Sequence, residues 1–340
     1  MTDTQLGDPL GPEPVPGEGE AAGANGAGAA AGTTGTTGAD GEAPAKKGWR
    51  QRINWKGVIG IAGLIGLAIA VSSSMSSTEG QDLPGPLALG AGYVCHLVGL
   101  VCGARAWIAL FPPDVDRAAL ANGMYVSQLT KYLPAGGFVQ QASQVALSSQ
   151  SGVGTAALRL PVFSLCAVAA GATGGALLVF DDDLPAWGRI LAVAGLATVA
   201  VLDRRLLQLG LRLARRVVKR LPDGDALPDQ ASILRSYVFM VGNIIAFSAA
   251  FVVLMVDTAD GVDPLMTGAA LAAGWVLGYV AVIFPSGLGV REGVLVAVLA
   301  VPNAALLAAS IAHRLLGLVA EATLAGVSQL RIAAAARRAS

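Results

Sequence analysis

Charge is scarce in this chain. Asp, Glu, Lys and Arg together make up 14% of its 340 residues, against about a quarter in ordinary soluble domains, which excludes a water-facing surface over most of its length. Histidine occurs twice, at His96 and His313, each alone in its own apolar run, and the three cysteines, Cys95, Cys102 and Cys166, form no Cys-x-x-Cys pair. Without a Cys/His cluster of ligand spacing, no metal or other cofactor is expected, and the cysteines read as small hydrophobes. G-x-S-x-G, the Walker A pattern and H-E-x-x-H are all missing. That removes the residues of nucleophile-elbow hydrolysis, nucleotide-driven pumping and zinc proteolysis. No catalytic residue is assigned, and no nucleic-acid partner is expected.

Bases are absent before Lys46, and residues 1–45 are built mainly from Gly, Ala, Thr and Pro with seven acids. Such a segment cannot bury a core and reads as a disordered tail. It also lacks the charged start and short apolar core of a cleavable signal peptide. Residues 46–331 read as a transmembrane domain, and 54% of the whole chain is hydrophobic. Apolar runs predict spans at about 57–75, 87–111, 153–180, 187–202, 233–256 and 304–324.

Charge between the runs sets orientation. Lys46, Lys47, Arg50, Arg52 and Lys56, interleaved with Trp49 and Trp55, read as a cytoplasmic interface anchor. Glu79 and Asp82, then Asp181 to Asp183, then Asp257, Asp260 and Asp263 fall on the opposite side. Arg204, Arg205, Arg212, Arg215, Arg216, Lys219 and Arg220 return the chain to the cytoplasm, where Arg331, Arg337 and Arg338 place the C-terminus. Both termini of a plasma-membrane protein are therefore expected inside. Leucines between the bases of 204–220 form a candidate amphipathic helix on an anionic leaflet, or a topology signal alone. Arg105 and Arg159 are expected to snorkel, with Trp107 near the inner interface.

Two apolar stretches are interrupted in the same way. Phe284-Pro285-Ser286-Gly287-Leu288-Gly289-Val290-Arg291-Glu292-Gly293 breaks the fifth-to-sixth span region, and Leu133-Pro134-Ala135-Gly136-Gly137-Phe138-Val139-Gln140-Gln141-Ala142 is an earlier copy. Both fit [LF]-P-[AS]-G-x-x-V-[QR]-[QE]-[AG]. Proline and glycine at these densities argue against a continuous spanning helix. The spacing predicts an all-α polytopic membrane protein with an inverted repeat, about 54–180 and about 187–330. About six spanning helices would frame two re-entrant broken-helix hairpins, the first entered from the cytoplasm and the second from outside.

In such folds, half-helix ends near mid-depth bind anions through open backbone donors. Pro134, Gly136 and Gly137 in the first break, and Pro285, Gly287 and Gly289 in the second, would allow that close approach. Arg291 is the leading candidate for a headgroup phosphate, since its guanidinium binds bidentately and keeps its charge. Glu292 would orient Arg291 or carry a proton. The alternative is an internal pair of Arg291 with Glu292 or Glu321 that only braces the hairpin. Arg314 and Glu321, two helical turns apart, share one face of the last span and are positioned to meet the second hairpin. Gln140, Gln141 and Gln144 give the first hairpin neutral hydrogen-bonding capacity, for substrate or for helix packing. Gly287-x-Gly289 lacks the strand and downstream acid of a dinucleotide site.

With both breaks read, residues from about 54 to 330 resemble the lysylphosphatidylglycerol synthase transmembrane family, the flippase-like proteins. Lys131-Tyr132-Leu133-Pro134-Ala135-Gly136-Gly137 is similar to that family's first segment. Pro285, Gly287, Gly289, Arg291 and Glu292 match its late motif. Where members often carry basic residues after the first break, Ser143, Gln144, Ser148, Ser149 and Gln150 stand here. The resemblance implies a protein that handles membrane lipids with an anionic headgroup. It would be a flippase or transporter of phospholipids or lipid-linked intermediates. The alternative is the membrane subunit of a lipid-modifying enzyme, such as an aminoacyl-phosphatidylglycerol synthase, whose transferase partner is a separate chain. A scaffold without transport is a third possibility. The soluble transferase domain of the synthases has no counterpart here, since the longest polar stretches are residues 1–45 and 203–231.

Overall fold

The computed structural model describes residues 83–132, 136–149, 152–182, 184, 186–217, 227–280, 290–299 and 301–339. The N-terminal tail, the Lys/Trp anchor and the expected span at 57–75 lie outside those residues, as do Pro134, Pro285, Gly287 and Gly289. Among the described residues every regular element is a helix.

Four helices are long and apolar enough to cross a membrane, Pro86–Ala109, Val153–Phe180, Gln230–Thr258 and Ala304–Ala335. In chain order the elements are α1 (Pro86–Ala109), α2 (Arg117–Gln128), α3 (Gly136–Leu147), α4 (Val153–Gly175), α5 (Ala186–Gly195), α6 (Ala197–Ala200) and α7 (Arg204–Val217). They continue with α8 (Gln230–Thr258), α9 (Pro264–Val280), α10 (Val290–Val298) and α11 (Asn303–Ala339). A long helix, two shorter helices and a long helix occur in that order twice: α1 to α4, then α8 to α11. Between the short helices of each set lies one of the Pro/Gly breaks.

Helix ends are fixed by side chains the sequence supplies. Asp116 caps α2 by accepting from the Ala118 and Ala119 amides at 2.8 and 3.3 Å. Asp229 caps α8 at the Ser232 amide, 2.9 Å away, and the bonds from Ser232 hold its carboxyl below the usual carboxylate range. The α1 N-terminus is served by the far end of α8, where Asp257 accepts from the Gly85 amide at 2.5 Å. The start of α1 therefore meets the end of α8, and the two run antiparallel.

Their contact is built on missing side chains, as close helix approach in a membrane requires. A Cβ on Gly92 would lie 3.1 Å from Leu316 and 3.7 Å from the Ala250 carbonyl; one on Gly99 would lie 2.5 Å from the Phe247 ring, and one on Gly103 3.3 Å from Asn243. In that cleft Asn243 donates to the Gly99 carbonyl at 2.6 Å. Gly171, Gly174 and Gly175 do the same for α4 against α9, where added Cβ atoms would lie 2.5 Å from Val276, 2.9 Å from Ala272 and 3.1 Å from Ala273.

Apolar side chains pack at two ends of the bundle. One core gathers Trp107, Leu110, Leu120, Phe163 and Ile233; the other gathers Phe251, Leu254, Met255, Leu271 and Leu306. Outward faces are apolar as well. Val94, Val98 and Val101 form a stripe along α1, and Val238 and Ile245 lie two turns apart on α8, all of them exposed. Helices apolar on every side are at home in hydrocarbon rather than water.

Over the region expected to span at 187–202 the helix is interrupted. The apolar helix there, Gly188–Ala200, is shorter than the four spans and breaks between α5 and α6. Amides of Leu196, Val199 and Leu202 reach back three residues, to Val193, Leu196 and Val199, tightening the chain into 3₁₀ turns, while the Thr198 hydroxyl bonds the Gly195 carbonyl at 2.6 Å. The basic segment beyond it is helical over α7. Leu207 and Leu211 pack on the first core, while Leu206, Leu209 and Leu213 remain exposed beside the arginines.

Trp107 and Arg159 both turn into the protein. Trp107 is fully buried, donating to the Ser148 hydroxyl at 3.1 Å and meeting Phe111 and Phe163 edge-on. Its indole N–H found a partner inside the protein, which suits burial. Arg159 points inward too, donating from Nε to the Leu110 carbonyl at 2.6 Å and covering the Phe111 ring at 4.8 Å. It satisfies a carbonyl left open at the end of α1 rather than snorkelling outward. Arg105 is exposed.

Candidate functional site

Between the two apolar cores lies a cavity of about 650 Å³. The glycine clefts that bring the helices together leave room beside them, and the polar residues of otherwise apolar helices turn into that room. Lys131, Tyr132, Gly137, Gln140 and Gln141 line it from either side of the first break, and Gly278, Tyr279 and Arg291 from either side of the second. The breaks are brought close: Gln141 Nε2 lies 3.5 Å from the Tyr279 hydroxyl, the outer limit of a hydrogen bond. That hydroxyl in turn donates to Ser164 at 2.8 Å.

The last long helix, α11, reaches both breaks with charge. Glu321, 3% exposed, pairs with Lys131 of the first. Two turns earlier, Arg314 donates to Glu292 Oε1 from Nη2 at 2.7 Å and from Nε at 3.2 Å. Arg291 Nη2 lies 3.3 Å from the same oxygen, so a single carboxylate oxygen faces two guanidiniums. The contact is off hydrogen-bond alignment, and Arg291 Nε and Nη2 have no hydrogen-bond partner among the described residues. Gly274 holds this arrangement, since a Cβ there would lie 3.2 Å from the Arg291 backbone and side chain.

Three cations, Lys131, Arg291 and Arg314, thus stand against two carboxylates, Glu292 and Glu321. The undescribed stretches at the breaks, 133–135 and 281–289, contain no ionisable residue. With neutral histidines the site carries one positive charge in excess. In a low-dielectric setting an excess charge attracts an anion far more strongly than it would in water.

Neutral donors surround the charges. Gln144 is 2% exposed and its Nε2 lacks a partner among the described residues. His96 of α1 and His313 of α11 also face the cavity, with ring centroids 4.4 Å apart.

Of the residues singled out in the sequence, Gly137, Gln140, Gln141, Arg291, Arg314 and Glu321 line this one cavity. Glu292 stands beside it, bonded to Arg314, and Gly136 opens α3. Arg314 and Glu321 share a helix face as expected, yet they serve different breaks: Glu321 turns to Lys131, not to the second hairpin. The histidine pair was missed, because each ring stands alone in sequence. A signal was present in the register. His96 falls on the stripe of Gly92, Gly99 and Gly103, and His313 on that of Gly317 and Glu321, and residues on such stripes face protein. Neither a family model nor a curated protein matches the chain.

Proposed function

We propose that the protein carries a lipid with an anionic headgroup between membrane leaflets, in the manner implied by its resemblance to the flippase-like lysylphosphatidylglycerol synthase transmembrane proteins. The observation that carries this reading is the cavity reached from both breaks and charged to one positive excess by Lys131, Arg291 and Arg314 against Glu292 and Glu321. Its volume is that of a small-molecule pocket, enough for a headgroup while the acyl chains stay in the bilayer.

The antiparallel pairing of α1 with α8 supports an inverted repeat. In the two sets of four helices they hold the same place, and a two-fold axis in the membrane plane would run equivalent helices in opposite directions. On this reading α2–α3 and α9–α10 are the re-entrant hairpins, entered from opposite leaflets, and rocking of one set against the other would expose the cavity alternately. The positive charge of α7 and of the α11 C-terminus supports a cytoplasmic position for both in a plasma-membrane protein.

The test is lipid movement in phosphatidylcholine vesicles holding the purified full-length protein. A fluorescent phosphatidylglycerol is expected to become accessible to an external quencher faster than in protein-free vesicles, and a phosphatidylcholine analogue is not. Equal rates for the two lipids, or no acceleration, would reject the proposal.

A further inference from the structure

His96 and His313 are the only histidines in the chain. They belong to two long helices far apart in sequence, yet their rings lie 4.4 Å apart and tilted by 57°, at exposures of 3% and 5%. Aromatic rings enclose them: Phe247 lies 5.1 Å from His96, and Phe251 lies 5.6 Å from His313, edge-on. Gly317 makes the space, since a Cβ there would lie 3.3 Å from the His96 ring. His313 Nε2 meets the Phe247 carbonyl at 3.1 Å. The other three ring nitrogens have no hydrogen-bond partner among the described residues, and both rings open on the cavity.

A buried polar group without a partner is costly, and ionisable groups inside a membrane bundle mark ion or proton pathways. Two imidazoles at this separation bind a first proton readily compared with a second, because two like charges repel at short range. We propose that the His96–His313 pair is a proton site linked to occupation of the cavity by a single-charged phosphodiester, so that anion and proton are bound together. The idea rests on the lipid-carrier reading for its anion, but the proton site can be tested by itself.

Electrostatics supplies the linkage. The charges acting on His96 include Lys131 and Arg291, and those acting on His313 include Arg291 and Arg314. Glu321 and Tyr132 complete the group beside Lys131, and Glu292 stands between the two arginines. A proton on the pair joins a set of groups already in positive excess. A phosphodiester at Arg291 cancels that excess, and the proton then meets no net repulsion. Because linkage is reciprocal, the proton strengthens anion binding by the same factor, typically about 5- to 150-fold for coupled sites.

The full-length protein, labelled with ¹⁵N-histidine, gives side-chain signals from two residues only, which makes the titration direct. In nanodiscs of phosphatidylcholine alone and of phosphatidylcholine with phosphatidylglycerol, the two signals are followed from pH 5 to pH 8. Protonation of the pair is expected at a pH higher by about 0.7 or more in the phosphatidylglycerol discs, the pH equivalent of a fivefold linkage. Identical titrations in both lipids, or neutral histidines throughout the range in both, would overturn the proton site. If the titrations differ but fluorescent phosphatidylglycerol does not move in vesicles, the carrier reading fails and the linked site stands. If the lipid moves but the titrations coincide, the reverse holds.

Discussion

Glu321→Ala is expected to destabilise the protein by about 3–5 kcal/mol, the cost of leaving a buried ion without its partner. Glu321 is almost wholly enclosed, and the ion it faces, Lys131, is 26% exposed, toward the cavity. The pair joins α11 to the turn just before the first break, so its loss also unfastens that hairpin. Removing both charges together is a different matter, because an apolar pair of similar volume avoids desolvating either ion. Lys131→Met with Glu321→Leu is therefore expected to recover most of the stability and, because it removes one charge of each sign and leaves Arg291 and Arg314 against Glu292, to retain selective movement of phosphatidylglycerol. Thermal unfolding in detergent measures the first effect and vesicle transport the second. A single variant as stable as the parent would mean that the pair does not hold the hairpin.

Arg291→Ala is expected to leave the fold intact and lower the preference for phosphatidylglycerol over phosphatidylcholine roughly 10- to 150-fold, the equivalent of about 1.5–3 kcal/mol for a charged hydrogen bond. The reason the fold survives is Arg314, which already satisfies Glu292 through two donors, while Arg291 keeps Nε and Nη2 free of hydrogen-bond partners among the described residues. Arg291→Lys should restore only part of the preference, since an ammonium keeps the charge but not the planar fork. Lipid retained through purification, counted by native mass spectrometry, reads this ratio. Unfolding of Arg291→Ala with no change in the ratio for whatever remains folded would assign Arg291 to bracing the hairpin instead.

The long helices were legible because an apolar run sufficient to span is a signal of length, and α1, α4, α8 and α11 cover the runs expected at 87–111, 153–180, 233–256 and 304–324. Proline and glycine likewise marked where α2–α3 and α9–α10 would be interrupted. The facing of each helix was harder to read. A helix apolar on both sides has no polar stripe to show which side meets lipid, so sequence alone does not show that Trp107 and Arg159 turn inward. Partners across the bundle were harder still. Lys131 and Glu321 are separated by 190 residues, and nothing local in either neighbourhood names the other. Charge in an apolar span predicts that a partner exists, but only packing selects which one. At 187–202 the apolar composition marks a helix, and the 3₁₀ turns around Leu196 that interrupt it carry no signal in that composition.

The central claim is that one cavity between the two breaks recognises a lipid anion through Arg291. A cryo-electron microscopy map of the full-length protein in nanodiscs containing phosphatidylglycerol tests it most directly. The account predicts phosphate density within hydrogen-bond reach of the Arg291 guanidinium, bounded by Gln141 and Tyr279. A cavity empty of phosphate, with lipid headgroups found only at the rim of the bundle, would contradict it.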